Sequence, residues 1–216
     1  WAGAMGQTQF IPSTYNQFAV DFDGDGRRDI WDSSADALAS AAHYLHKSGW
    51  QSGQPWGFAV TLASGFDYAL ADGETVRSIA QWRQLGVHTP SAGADQSRAV
   101  LLLPAGHRGP AFLLQDNFRA ILKYNNSSAY GLAIGLLGDT LAGRASAPAT
   151  WPRSDRQLGR SERIELQQRL ASKGYAPGAA DGIIGANTRK AVRALQQSLG
   201  QPADGYPSHE LLQQLR

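Results

Sequence analysis

Residues 1–15, WAGAMGQTQFIPSTY, are the most informative stretch of this 216-residue chain. Gly3 and Gly6 let the backbone turn tightly or approach a ligand closely, because glycine carries no Cβ. Gln9 sets a neutral amide, donor and acceptor at once, beside aromatic and aliphatic surface. Apolar faces for a ring and amides for its hydroxyls suit an uncharged polyol such as a sugar. The same residues also read as a plain core around a turn, with Met5, Phe10, Ile11 and Tyr15 buried. On composition alone this second reading is the better one.

Outward from that stretch, Pro12-Ser13 opens a short helical turn within residues 1–20. Residues 34–48 carry Leu38, Ala41, Ala42 and Leu45 at helical spacing, and Gly49 is placed to stop the helix. An alanine-rich helix of this kind packs closely against a neighbour. Residues 56–63, 98–103 and 111–115 are short and rich in Val, Leu and Phe, which predicts strands. Thr75 to Leu85 reads as a helix, and so do 115–124 and 129–142, with Asn117 and Ser128 as N-cap candidates. The fold class is therefore mainly α (α+β), a helical domain over 1–142 with a small antiparallel sheet inserted.

Residues 143–160 (GRASAPATWPRSDRQLGR) hold Gly, Ala, Pro and Arg without periodicity, which is linker composition. Amphipathic helices are then predicted at 161–173, 188–199 and 208–215. The Asp-Gly turns Asp181-Gly182 and Asp204-Gly205 precede the last two. Residues 161–216 thus form a small three-helix domain, near the lower size limit for independent folding.

Asp21, Asp23, Asp25, Asp29 and Asp32 occupy positions 1, 3, 5, 9 and 12 of the window 21–32, with Gly26 at position 6. That is the spacing of an EF-hand calcium loop, in which position 7 would contribute the Arg27 carbonyl. Carboxylates so close repel one another without a cation. Two departures stand out: position 12 is Asp instead of Glu, and position 8 is Arg28. Asp36 is an alternative to Asp32 as the far ligand. The loop reads as a structural Ca2+ site, with an Asx-rich turn as the competing reading.

Composition excludes several classes. A hydrophobic content of 42% with 18% charged residues rules out a chain disordered throughout. There are no cysteines, so disulfides and thiol catalysis are absent. The net charge of +2 is small, and the basic residues between Arg144 and Arg169 read as a solvated linker before a nucleic-acid surface. His43, His46, His88, His107 and His209 show no metal spacing, and neither a serine-hydrolase elbow nor a phosphate loop is present. No organic cofactor is expected.

The segment WAGAMGxxQFxPSxY followed by DFDGDGRRDIWD resembles the lytic murein transglycosylase B family. LPAG (Leu103 to Gly106), Asn117-Phe118 and Lys123-Tyr124-Asn125 extend the likeness over about 1–143. The resemblance implies a lysozyme-like catalytic domain that cleaves the MurNAc-β-1,4-GlcNAc bond of peptidoglycan with formation of a 1,6-anhydro product. It implies a single glutamate as acid and base, upstream of WAGAMG, so no catalytic residue is expected among Glu74, Glu162, Glu165 and Glu210. It makes Gln9, Tyr44, Tyr124, Asn125 and Tyr130 groove residues; Tyr44, inside an amphipathic helix, also reads as plain core. A periplasmic location, outer-membrane association, cell-wall synthesis proteins as partners and association with an N-terminal segment belong to the same expectation.

Residues 161–216 resemble the peptidoglycan-binding domain type 1 family through Leu166, Leu170, Gly174, Asp181, Gly182, Gly185, Thr188, Ala191, Val192 and Gln196. This implies binding of glycan strands and peptide stems. Asp181-Gly182, Ile184 and Asn187-Thr188 then form a shallow groove, or are merely a turn and a helix cap. Two other functions stand against the enzyme: a non-catalytic peptidoglycan-binding fragment, and a calcium-dependent structural module.

Overall fold

In chain order the elements are α1 (Pro12–Phe18), α2 (Ser34–Lys47), β1 (Gly57–Leu62), β2 (Arg77–Ser78), α3 (Ile79–Gln84), β3 (Val87–His88), β4 (Arg98–Leu102), β5 (Ala111–Leu114), α4 (Asp116–Tyr124), α5 (Ser128–Leu141), α6 (Arg160–Ser172), α7 (Ala186–Ser198) and α8 (His209–Leu215). They come from a computed structural model that describes residues 2–90, 95–144 and 151–216. Trp1 and the middle of the expected linker, 145–150, lie outside the described residues. The mainly helical class with a small antiparallel sheet is the one observed.

The chain divides into two compact units, Trp1–Trp56 with Asp116–Gly135, and Gly57–Gln115 with Leu136–Arg216. In the first unit, α2 begins where the Ser33 hydroxyl accepts the Asp36 N–H at 3.2 Å. It ends before Gly49, whose φ of +102° is open to glycine and costly for other residues. Asn117 is not an N-cap. It lies buried inside α4, accepts the Gln51 N–H at 2.7 Å, and donates to the Gln51 and Gln54 carbonyls at 2.9 and 2.7 Å. One amide thereby satisfies three backbone groups of a loop that has no secondary structure to pair them. Ser127, not Ser128, caps α5, accepting the Tyr130 N–H.

In the second unit the sheet order is β2-β4-β5-β1-β3, antiparallel throughout. Every residue of central β5 is buried, which accounts for its unbroken apolar run, Ala111–Leu114. The expected helix over 75–85 starts only at Ile79, because Arg77 and Ser78 pair with Ala99 and Arg98. Ser78 and Gln81 then close a reciprocal capping box. Trp82 is fully buried and donates its indole N–H to the Ala99 carbonyl at 2.9 Å. Helices α6, α7 and α8 enclose a separate core of Leu166, Leu170, Val192, Leu195, Leu211 and Leu212. Among the described residues no helix is long and apolar enough to cross a membrane.

Candidate functional site

The turn over residues 5–10 is closed by a Met5–Phe10 bridge, with Met5 N–H donating to the Phe10 carbonyl at 3.0 Å. The Gln7 N–H ties it to the Ile30 carbonyl at 2.8 Å. A Cβ on Gly6 would lie 2.7 Å from that same carbonyl oxygen, so the close approach requires glycine. Gln9 holds φ at +52°, an unusual conformation for a residue with a side chain. Its side-chain amide donates to the Gly6 carbonyl at 2.9 Å while the residue stays exposed.

Beneath the turn, buried Phe10 stacks obliquely on Tyr44 and Tyr124, with ring centroids 5.7 and 5.9 Å apart. The two tyrosines meet edge to face at 5.2 Å, and Phe18 lies 5.0 Å from Tyr44. Such pairs add to the burial of the rings themselves. The Tyr44 hydroxyl donates to the Lys123 carbonyl at 2.8 Å, and the Tyr124 hydroxyl to the Thr8 carbonyl. The second bond fastens the end of α4 to the Gln9 turn across most of the first unit's sequence. Burial, followed by the nearby hydroxyls of Tyr130 and Tyr44, pushes the Tyr124 phenol up to about 12. Exposed Asn125 directly follows Tyr124, and Tyr130 lies in the first turn of α5. Sequence reasoning missed Thr8, whose buried hydroxyl oxygen has no partner among the described residues. Nothing in a lone threonine within a mixed stretch marks it out.

In the acidic loop the carboxylates that converge are Asp21, Asp23 and Asp36, with ligand oxygens within 4.8 Å of one another. Asp21 also accepts the Gly24 and Gly26 N–H groups, at 2.7 and 2.9 Å. Asp36, 0% exposed, accepts the Phe22 N–H on one oxygen and the Asp29 N–H on the other, both at 2.8 Å. It thereby joins the start and end of the loop to α2. Asp25 accepts the Arg27 N–H, and Asp29 accepts those of Trp31 and Asp32. Bonds from Asp32 and Trp31 hold the Asp29 carboxyl below its usual range.

The four glutamates have other engagements. The Arg156 guanidinium and the Gly159 N–H hold the Glu162 carboxyl down to about 2, and Arg216 with Arg169 does the same for Glu165. Glu210 bridges to Arg108 at 3.2 Å, and Glu74 is exposed. A general acid needs the opposite displacement, upward and into an apolar site.

In the C-terminal helices, buried Gln167 accepts the Gly182 N–H at 2.8 Å and donates to the Ile183 carbonyl at 3.0 Å and the Thr188 hydroxyl at 3.2 Å. Thr188 in turn donates to the Pro177 carbonyl at 2.9 Å. Thr188 is thus buried scaffold, neither a groove wall nor a cap.

The sequence profile of the Transglycosylase SLT domain matches residues 1–139, and that of the peptidoglycan binding domain matches residues 159–215. The chain is 38% identical over 145 residues to membrane-bound lytic murein transglycosylase B of Escherichia coli, covering 66% of this chain and 39% of that protein. The structure of SltB3 from Pseudomonas aeruginosa in complex with NAG-anhNAM-pentapeptide superposes with a TM-score of 0.95 at 62% identity, over 100% of this chain and 59% of that one. Escherichia coli Slt35 in complex with calcium gives a TM-score of 0.54 at 34% identity, over 65% of this chain and 45% of that one. The chain therefore spans well under two thirds of the length of these relatives, while sharing their lysozyme-like, helix-rich architecture. With a match over most of its length, the chain belongs to the Transglycosylase SLT domain family.

Proposed function

We propose that this chain supplies one wall of the saccharide groove of a lytic transglycosylase, together with a cell-wall-binding module. The reaction is cleavage of the MurNAc-β-1,4-GlcNAc bond with formation of a 1,6-anhydro end. The observation that supports the reading is the Tyr124–Thr8 hydrogen bond, which ties the Gln9 turn to Tyr124 at the end of α4, next in sequence to Asn125. Exposed amides next to tyrosine faces match the alternating polar edge and apolar face of a pyranose. Tyr44, its ring packed on three aromatic rings and its hydroxyl bonded to backbone, supports the wall from behind. The proton donor in this reading is a glutamate outside residues 1–216, because arginines hold Glu162 and Glu165 down to about 2, Glu210 bridges to Arg108, and Glu74 is exposed.

The relative solved with a NAG-anhNAM-pentapeptide supports the substrate class, and the peptidoglycan binding domain match supports attachment to the wall. Tethering of this kind raises the effective substrate concentration at the groove. A periplasmic setting follows from the same substrate. The converging Asp21, Asp23 and Asp36 form an all-oxygen donor set suited to a hard divalent cation, and each carboxylate oxygen keeps a lone pair beyond its N–H bond. Calcium held there would fix the loop against the Gln7–Ile30 contact at the base of the turn.

The test is release of 1,6-anhydromuropeptides from purified sacculi by the complete protein. Gln9→Ala and Asn125→Ala should each lower the rate about tenfold or more, the loss of one transition-state hydrogen bond or its equivalent, without moving the melt. Unchanged rates in both would remove the groove assignment.

A further inference from the structure

The C-terminal helices contain a structural repeat whose two copies differ in what their aspartate meets. In the first, Gln167 on α6 holds the turn Asp181-Gly182-Ile183. In the second, Gln196 on α7 holds Asp204-Gly205-Tyr206. Each glutamine accepts the glycine N–H, from Gly182 at 2.8 Å and from Gly205 at 2.9 Å. Each aspartate accepts the N–H two residues on, from Ile183 and from Tyr206, both at 2.8 Å. Each glycine has positive φ and lies against an arginine at the same distance in sequence ahead of its glutamine. A Cβ on Gly182 would sit 3.1 Å from the Arg160 carbonyl oxygen, and one on Gly205 would sit 3.0 Å from that of Arg189. Arg160 and Arg189 also act electrostatically on Asp181 and Asp204 respectively.

The second copy is docked. Asp204, buried, turns its Oδ2 to the His107 backbone N–H at 2.8 Å and to the His107 ring Nδ1 at 2.7 Å. Gly106 runs so close that a Cβ there would lie 2.7 Å from that oxygen and 2.9 Å from the Tyr206 Cβ. The carboxylate thus receives one backbone N–H and one side-chain N–H from the same residue, while the following side chain packs on the incoming backbone.

The first copy presents the same two groups to solvent. Asp181 is exposed, and its Oδ2 meets no donor among the described residues. Ile183, which corresponds to Tyr206, is 69% exposed. We propose that Asp181 and Ile183 form a docking site for a short peptide carrying a free side-chain amine, as the stems of peptidoglycan do. The backbone N–H and the amine of one residue would take the places that the His107 N–H and ring take at Asp204, with Ile183 covering the peptide backbone. This rests on the cell-wall reading of the module under Proposed function.

The experiment is an NMR titration of the 15N-labelled chain with L-alanyl-γ-D-glutamyl-meso-diaminopimelyl-D-alanine, alongside the same peptide acetylated on its side-chain amine. The amides of Gly182 and Ile183 should shift, and the acetylated peptide should bind about tenfold more weakly, as for loss of one charge-assisted bond. Asp181→Asn keeps an acceptor for the Ile183 N–H, so the fold and melt should survive while affinity falls about tenfold. Ile183→Ser should also weaken binding. Shifts confined to other residues, or wild-type affinity in both variants, would overturn the site. A sacculus pelleting assay separates the two claims. Pelleting without peptide binding refutes this site alone. Peptide binding at Asp181 without pelleting supports the site and refutes the wall reading, and failure of both refutes both.

Discussion

Replacing Asp36 by alanine should be among the most damaging single changes in the first unit, although Asp32 fits the calcium-loop spacing better. Asp36 is wholly buried, and each of its oxygens accepts one backbone N–H, from Phe22 and from Asp29. Truncation leaves both donors without a partner and frees the loop from α2. Hydrogen bonds to a charged group contribute about 1.5–3 kcal/mol each, so the loss of two should be about 3–6 kcal/mol. For a chain of this size each kcal/mol corresponds to about 2–4 °C, which places the drop at about 6–24 °C. Asp32 is exposed and its carboxylate accepts no hydrogen bond among the described residues, so Asp32→Ala should cost about 0.5 kcal/mol or less. Calorimetric melts in excess chelator isolate this protein term from any cation. Equal melting temperatures for the two variants would refute the assignment of Asp36 as the loop's anchor.

Gly135→Ala would place a Cβ 2.5 Å from the Trp56 indole, so overpacking of about 1–3 kcal/mol is expected in a urea titration; a neutral result would mean the indole moves freely. The Tyr124 phenol, raised to about 12 from 10.0, stays protonated in the folded chain where the unfolded chain ionises. Stability should therefore fall as pH rises from about 10 towards 12, and Tyr124→Phe should lessen that fall in melts across this range. Glu162 and Glu165, lowered to about 2 from 4.5, act in the opposite sense. Their contribution is present above pH 4.5 and is lost as pH falls towards 2. Arg216→Ala, which removes a partner of Glu165, should flatten the melting curve against pH in that window. An unaltered profile would contradict the pairing.

Much of the architecture is legible in local pattern. The three longer strands and the helices follow the apolar periodicity closely, because each buries one face or, for β5, both. What local pattern hides is decided by distant partners. Arg77 and Ser78 join β4 and so shorten a helix that periodicity extends, and two-residue strands leave no alternation to read. Asn117 has the chemistry of a cap, yet it serves a loop from the other end of the unit. Gln9, Tyr124, Asn125 and Tyr130 are singled out by motif likeness, and the Tyr124–Thr8 bond that brings the Gln9 turn to the end of α4 spans 116 positions. In the acidic loop, spacing singled out the aspartates but not the burial that sets Asp36 above Asp32. The two Asp-Gly turns look alike in sequence, and only His107, 97 positions from Asp204, makes them different.

The most direct measurement is mass spectrometry of the muropeptides released when residues 1–216 alone are incubated with purified sacculi, paired with a pelleting assay. The predicted result is a chain that pellets with the sacculi and releases no 1,6-anhydromuropeptide. Release of anhydro product by this chain alone would contradict the claim that it lines the groove without supplying the acid.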